Sequence, residues 1–199
     1  MSDYNAISDV GKTLIKLLWD NIKDDGHVSS IIESDDQITL SSPDESDKKL
    51  SLFLYQVTEN AYLKNEEMQS LNSTKLKYPP LTLSLFYLVT PNTQNMDSDH
   101  IILGKVMQIF HDNSVLRGSA LHENLVGEEL RLILNSISTE ELNKIWSVIS
   151  KTKTYKLSVC YEVTPVAIDS MREREAKRVT ERELEKYMIR VGKDESENR

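Results

Sequence analysis

Cysteine is almost missing from this chain. Cys160 stands alone, so no internal disulfide can form and a zinc site is disfavoured. Set among Val159 and Tyr161, it reads as a small core residue rather than a reactive thiol. Glycine is scarce as well: six stand singly, and no Gly-x-x-x-x-Gly-Lys run exists to cradle a phosphate. No serine sits in a Gly-x-Ser-x-Gly elbow. Positive charge is outnumbered, 24 Lys and Arg against 32 Asp and Glu, and the net −8 opposes an electrostatic grip on nucleic acid or anionic lipid. The start, MSDYNAISDV, lacks the basic and apolar segments of a signal peptide, so folding in the cytoplasm is expected.

Catalytic constellations are absent in the same way. The histidines at 27, 100, 111 and 122 include no pair three or four residues apart, the spacing that puts two ligands on one helix face. The carboxylates lie mostly in polar loops and on solvated faces, where little perturbs them. The acidic loop Ser41–Lys49 lacks the alternating ligands and turn glycine of a calcium loop. Asn72-Ser73-Thr74 fits a glycosylation pattern that means nothing without secretion. The expectation is therefore no catalytic, cofactor or metal site, and not an enzyme.

What is present is periodic apolar sequence. Leu81–Pro91, reading LTLSLFYLVTP, is too short to span a membrane but about the length of a buried strand. Leu81, Leu83, Leu85, Tyr87 and Val89 make one face wholly apolar; Thr82, Ser84, Phe86, Leu88 and Thr90 make the other mixed. Tyr87–Thr90 is echoed by Tyr55–Thr58 and Tyr161–Thr164, which predicts three similar strands in one sheet rather than a repeat architecture. Leu50–Asn60 is apolar on both faces, with Leu50, Leu52 and Leu54 opposite Phe53, Tyr55 and Val57, and so is expected to be covered on both sides. Glu129–Asn135 alternates with Leu130, Leu132 and Leu134 inward, and Tyr155–Ile168 is the last strand.

Three helices complete the reading. Asp3–Asp24 carries an apolar stripe through Ile7, Val10, Leu14, Leu17, Leu18 and Ile22, with Ser2, Asp3 or Ser8 as caps and Gly26 as the stop. A second begins at Asp97-Ser98-Asp99, and Gly104 inside it suggests close approach by another backbone. Ser138 and Glu141 form a capping box before the third, whose inner face is Leu142, Ile145, Trp146 and Ile149. Short strands are expected at His27–Glu33 and Gln37–Leu40, and an extended piece at Val115–Leu121. Glu59–Tyr78 reads as a long polar connection able to reach a neighbouring molecule, with Lys75 and Lys77 as candidates. Met171–Arg199 is dense in charge, either a helix or an arm without a core of its own.

The order of these pieces is more specific than any one of them. LSLFLYQVTEN, then YPPLTLSLFYLVTP, a helix, Leu116-Arg117-Gly118, ELRLILNSIS, Leu142 to Trp146-Ser147 and YKLSVCYEVTPVAID follow one another. Over residues 4 to 169 this resembles the N-terminal domain of the tail terminator, or cap, proteins of extracellular contractile injection systems. The Photorhabdus virulence cassettes and the antifeeding prophage are the familiar examples. The resemblance implies an α+β fold with a mixed or mainly antiparallel sheet flanked by about three helices, similar to phage tail terminators. It divides the chain into a terminator-like domain, 1–169, and a charged C-terminal arm, 170–199.

It also implies a structural role: a six-membered ring that ends the inner tube and sheath at the target-distal end and stops their polymerisation. The partners would be further copies, the tube protein and the sheath protein, without nucleic acid or membrane insertion. Assembly would be cytoplasmic, and the product part of a phage tail-like particle. Two rivals stay open. One is a monomeric binding module or small enzyme whose pocket is lined by Tyr55, Tyr87 and Tyr161. The other is a tail-completion or connector protein of a phage.

Overall fold

A computed structural model describes residues 3–44, 47–64, 67–72, 75–149 and 155–175. The first half of the chain gives helix α1 (Ala6–Ile22), then strands β1 (Ile38–Thr39), β2 (Leu50–Glu59), β3 (Gln69–Asn72), β4 (Lys75–Lys77) and β5 (Leu81–Pro91). Helix α2 (Met96–Asp112) leads to β6 (Val115–Arg117), β7 (Glu129–Asn135), α3 (Thr139–Ile149), β8 (Val159–Ile168) and β9 (Glu173–Glu175). Six strands form one sheet in the order β1-β2-β5-β8-β7-β6, and three form a second, β3-β4-β9. Only β1 and β2 run parallel; every other pair is antiparallel. The α+β reading holds, with three α-helices among the described residues.

β5 lies at the centre of the large sheet, between β2 and β8. Its apolar face works as the alternation predicts: Leu83, Leu85, Tyr87 and Val89 are buried in the main core with the inner stripes of α1 and α2. Leu81, at the sheet end, is the exception and is half exposed. The mixed face turns toward α3. There Leu88 joins Trp146 and Cys160 in a second cluster, against which Phe53, Tyr55 and Ile145 pack. The echo strands therefore do share one sheet, apolar on both sides because helices cover both. Buried hydroxyls on the α3 face find one another, Ser84 Oγ donating to Thr164 Oγ1 at 3.0 Å and Thr90 Oγ1 lying 2.9 Å from Ser158 Oγ.

Two bulges change which residues point where. Leu54 pairs with Tyr87 and Gln56 with Phe86, so Tyr55 is an extra residue on β2. The face reading of β2 consequently fails after Tyr55: Val57 pairs with Leu85 and lies on the α1–α2 side, and it is 43% exposed. On β8 the register steps from Val163 opposite Leu85 to Val166 opposite Leu83, which keeps both valines in the main core.

Other expectations are corrected. His27–Glu33 is not a strand; Ser29 N donates to Asp25 O and Ile32 N to Val28 O, both at 2.9 Å. Val28 and Ile32, four apart, fall on one side of these turns and are buried there. Gln37–Leu40 contributes only Ile38–Thr39, and Val115–Leu121 only Val115–Arg117 before a tight 3-10 turn. α1 starts at Ala6 with Asn5 at the cap position and ends before Lys23, ahead of Gly26. Asn95, whose side chain accepts from Asp97 N, caps α2.

The third helix follows its capping box as read: Glu141 N donates to Ser138 Oγ, and Ser138 N to Glu141 Oε2. Gly104 meets no close neighbour; the tight site is Gly11, where an added Cβ would come within 2.6 Å of Leu40 Cδ1. On β7, Leu130 and Leu132 are buried but Leu134 is 47% exposed, beside an open hollow that it shares with Met107, Phe110 and His111 of α2. The last strand begins at Val159, not Tyr155. Finally, Glu59–Tyr78 is no structureless connection, since β3 and β4 lie within it, and Glu173–Glu175 at the start of the charged arm pairs with β4. The rest of that arm lies outside the described residues.

Candidate functional site

Among the described residues no three His, Cys, Asp or Glu groups converge as metal ligands. His27, His100 and His111 are exposed and separate. His122 alone of the four enters a polar cluster, around Asp9, the one fully buried carboxylate among the described residues. Asn124 Nδ2 donates to Asp9 Oδ2 at 2.8 Å, Lys12 Nζ lies 2.9 Å from Oδ1, and His122 Nδ1 lies 3.4 Å from it. The Asn124 hydrogen bond, with Lys12, holds the Asp9 carboxyl below the usual range although burial pushes it up. Thr13 Oγ1 donates to Asp9 O and accepts from His122 N, at 2.7 and 3.0 Å. The contacts made by His122 and Asn124 tie α1 to the segment between β6 and β7. The cluster works as a tie between two parts of the fold.

The three tyrosines do not make a pocket either. Tyr87 and Tyr161 are register partners on the main-core face, both buried, and Phe110 meets Tyr161 edge-on at 4.8 Å between ring centres. Tyr55 is on the opposite face, beside Cys160 and Asn135. Burial raises the hydroxyl pKa of all three and the Cys160 thiol pKa too, so none is an ionised nucleophile near neutrality. The three rings therefore do not line one pocket, because Tyr55 lies on one face of the sheet and Tyr87 and Tyr161 on the other.

The molecule's unfinished features lie at its edges. β1 covers β2 only at Leu50 and Ser51, and β6 covers β7 only from Glu129 to Arg131. Beyond those points both strands present open sides, as does the mixed face of the sheet around Ile133, 44% exposed. Between α3 and β2 runs an open groove of about 570 Å3, floored by Phe53 and Tyr55 and walled by Ile145 and Ile149. At the opposite end of the sheet, Tyr4 and Met171 stand exposed about another hollow, of about 440 Å3, closed by Ile168 and Asp169. The hairpin β3–β4 sits at that end, and Lys75 and Lys77 point to this chain's own carboxylates, Glu173 at 2.7 Å and Asp169 at 3.1 Å. Sequence reading missed the small sheet because its strands alternate over only three or four residues and bury nothing.

Comparison with known proteins gives a family and a shared fold. The model of the Pvc16 N-terminal domain family matches residues 9–182. Two solved structures share the fold. One is the sheath/tube terminator of the extracellular contractile injection system PVC in its extended state: TM-score 0.61 and 19% identity, covering 93% of this chain and 64% of that one. The other is the tube-terminating cap of the anti-feeding prophage: TM-score 0.59 and 18% identity, covering 89% of this chain and 60% of that one. The chain thus spans less than two thirds of the length of either. A search of curated proteins gives no match.

Proposed function

The chain belongs to the Pvc16 N-terminal domain family, and from that membership we propose that it is a structural cap. In this reading it ends the inner tube and the sheath of a contractile injection particle at the end far from the target, and stops their polymerisation. The observation that carries the reading is the family match over 9–182, joined to a fold shared with two terminators over most of this chain. The cap acts by shape and contact, without a catalytic step.

Its partners are the tube protein, the sheath protein and five further copies in a six-membered ring. A ring suits strands left open on two flanks of the sheet, since a neighbour can cover each. Residues 170–199 act as an arm beyond the domain at 1–169. Assembly takes place in the cytoplasm, before the particle is released or anchored; no helix among the described residues is long and apolar enough to cross a membrane.

Mass measurement of the purified chain, with particle imaging after deletion of its gene, tests this reading. The expected results are a six-fold assembly and tubes of uncontrolled length. A monomer at every concentration, together with particles of normal length after deletion, would refute it.

A further inference from the structure

Asp25-Gly26 is the one Asp-Gly pair in the chain, and there is no Asn-Gly. Glycine offers the aspartyl carboxyl the least hindered backbone nitrogen, because no Cβ stands beside it. The pair lies in the turn that follows α1, where Gly26 is exposed and a Cβ built on it would meet nothing within 4 Å. Nothing is packed against Gly26 to obstruct a reaction at its nitrogen.

The reaction open to such a pair needs only water. The Gly26 nitrogen attacks Cγ of the neutral Asp25 carboxyl. An N–Cγ bond forms, and the amide hydrogen and the carboxyl hydroxyl leave together as water. Solvent water then opens the five-membered imide. Opening at the main-chain carbonyl leaves Gly26 joined through the Asp25 side chain, an isoaspartate of unchanged mass.

Three contacts oppose the first step. Lys105 Nζ, on α2, lies 2.8 Å from Asp25 Oδ2, and Asp25 Oδ1 accepts from His27 N and Val28 N, each at 3.2 Å. They fix the side chain within its own turn. Lys105 first, and then the two N–H groups, also hold the carboxyl down to about 2, whereas the neutral acid is the form that loses water. Of the three donors, only Lys105 comes from a distant part of the chain.

We propose that Asp25-Gly26 is this protein's site of spontaneous isoaspartate formation, and that Lys105 keeps it closed while α1 and α2 stay packed. The product carries one more backbone carbon between Ile22 and Val28, both buried, so opening the site loosens the turn that seats them. The inference stands apart from the cap reading and needs no assembly.

The test ages the full chain for weeks in mildly acidic buffer. Isoaspartate is counted by enzymatic methylation of its free carboxylate and located by peptide mapping. Residue 25 is expected to isomerise at least about tenfold more slowly in the folded chain than in urea. Lys105→Met raises the folded rate at least about threefold and moves the Asp25 carboxyl titration, followed by its carbon resonance, upward. Adding Gly26→Ala to that variant lowers the rate again by at least about tenfold. Val106→Ala, in the main core one residue along α2, loosens the helix without removing the ammonium and should age like the wild type. Four results overturn the proposal: equal rates folded and in urea, a wild-type rate in Lys105→Met, a rate in Val106→Ala equal to that of Lys105→Met, or isoaspartate that maps mainly to another residue. None of these readouts is ring mass or particle length, so failure here is distinct from failure of the cap reading.

Discussion

The large sheet buries Leu83, Leu85, Tyr87 and Val89 of its central strand under two helices, whereas the small sheet β3-β4-β9 has no buried residue among those described. The first is held by apolar area removed from water, on the order of 25 cal/mol per Å2. The second is held by ladder hydrogen bonds, the exposed Lys75–Glu173 pair, and Arg172 lying 4.3 Å over the Tyr78 ring. Exposed ion pairs contribute little, and a sheet without a core is marginal alone. One chain thus carries a rigid scaffold and, hung from its end, a piece that opens first.

The most direct way to break this contrast is to truncate one leucine in each sheet. Leu85→Ala removes a side chain with no exposure and is expected to cost about 2–5 kcal/mol by urea unfolding. Leu76→Ala on β4, only half-buried, is expected to cost less than about 1 kcal/mol. Equal losses would mean that the small sheet has a core after all.

That contrast also explains what the sequence revealed and what it hid. Leu81–Pro91, Ser138 with Glu141, and the stripe of α1 were legible because each repeats one signal over many residues. Burial rewards that repetition. The bulge at Tyr55 was not legible, since a single extra residue leaves the local alternation intact while sending Val57 to the other face. Nor was the small sheet, in which β4 and β9 pair residues about a hundred positions apart and leave no apolar trace. The open edges were hidden for a related reason: such an edge is defined by which strand fails to arrive. His27–Glu33 misled because Val28 and Ile32 suit a turn as well as a strand.

Acid should loosen the scaffold. Asn124 holds the Asp9 carboxyl low, and Lys105 with the backbone N–H groups of Val28 and His27 holds Asp25 down to about 2. Both folded values lie below the unfolded carboxylate value of about 3.9. Their contribution is therefore complete above that value and is lost as pH falls toward the folded ones. The thermal midpoint is expected to drop below about pH 4, and Asp25→Asn, which removes one titrating group, should flatten that drop. An unchanged slope in the variant would remove Asp25 from the account.

A gain is expected inside the scaffold. Gly104 in α2 is exposed, and an added Cβ meets nothing within 4 Å. Gly104→Ala should stabilise by about 0.5–1 kcal/mol, the usual helix-interior difference. If the chain loses stability instead, a backbone does approach Gly104 in the assembled protein.

The smallest global effect belongs to Lys75, and it sharpens the comparison most. Its Nζ lies 2.7 Å from Glu173 Oε2, and that hydrogen bond raises the lysine pKa. A raised folded value contributes below the unfolded one, about 10.4, and the contribution disappears as pH climbs through the folded one. Lys75→Gln should leave the urea midpoint unchanged within error while amide exchange at Glu173–Glu175 quickens about threefold or more. In the wild type the same segment should exchange faster above pH 10 than intrinsic base catalysis accounts for, and in Lys75→Gln that excess should vanish. Should the variant shift the global midpoint instead, β9 would be part of the scaffold rather than a latch on it, and the division between the two sheets would be wrong.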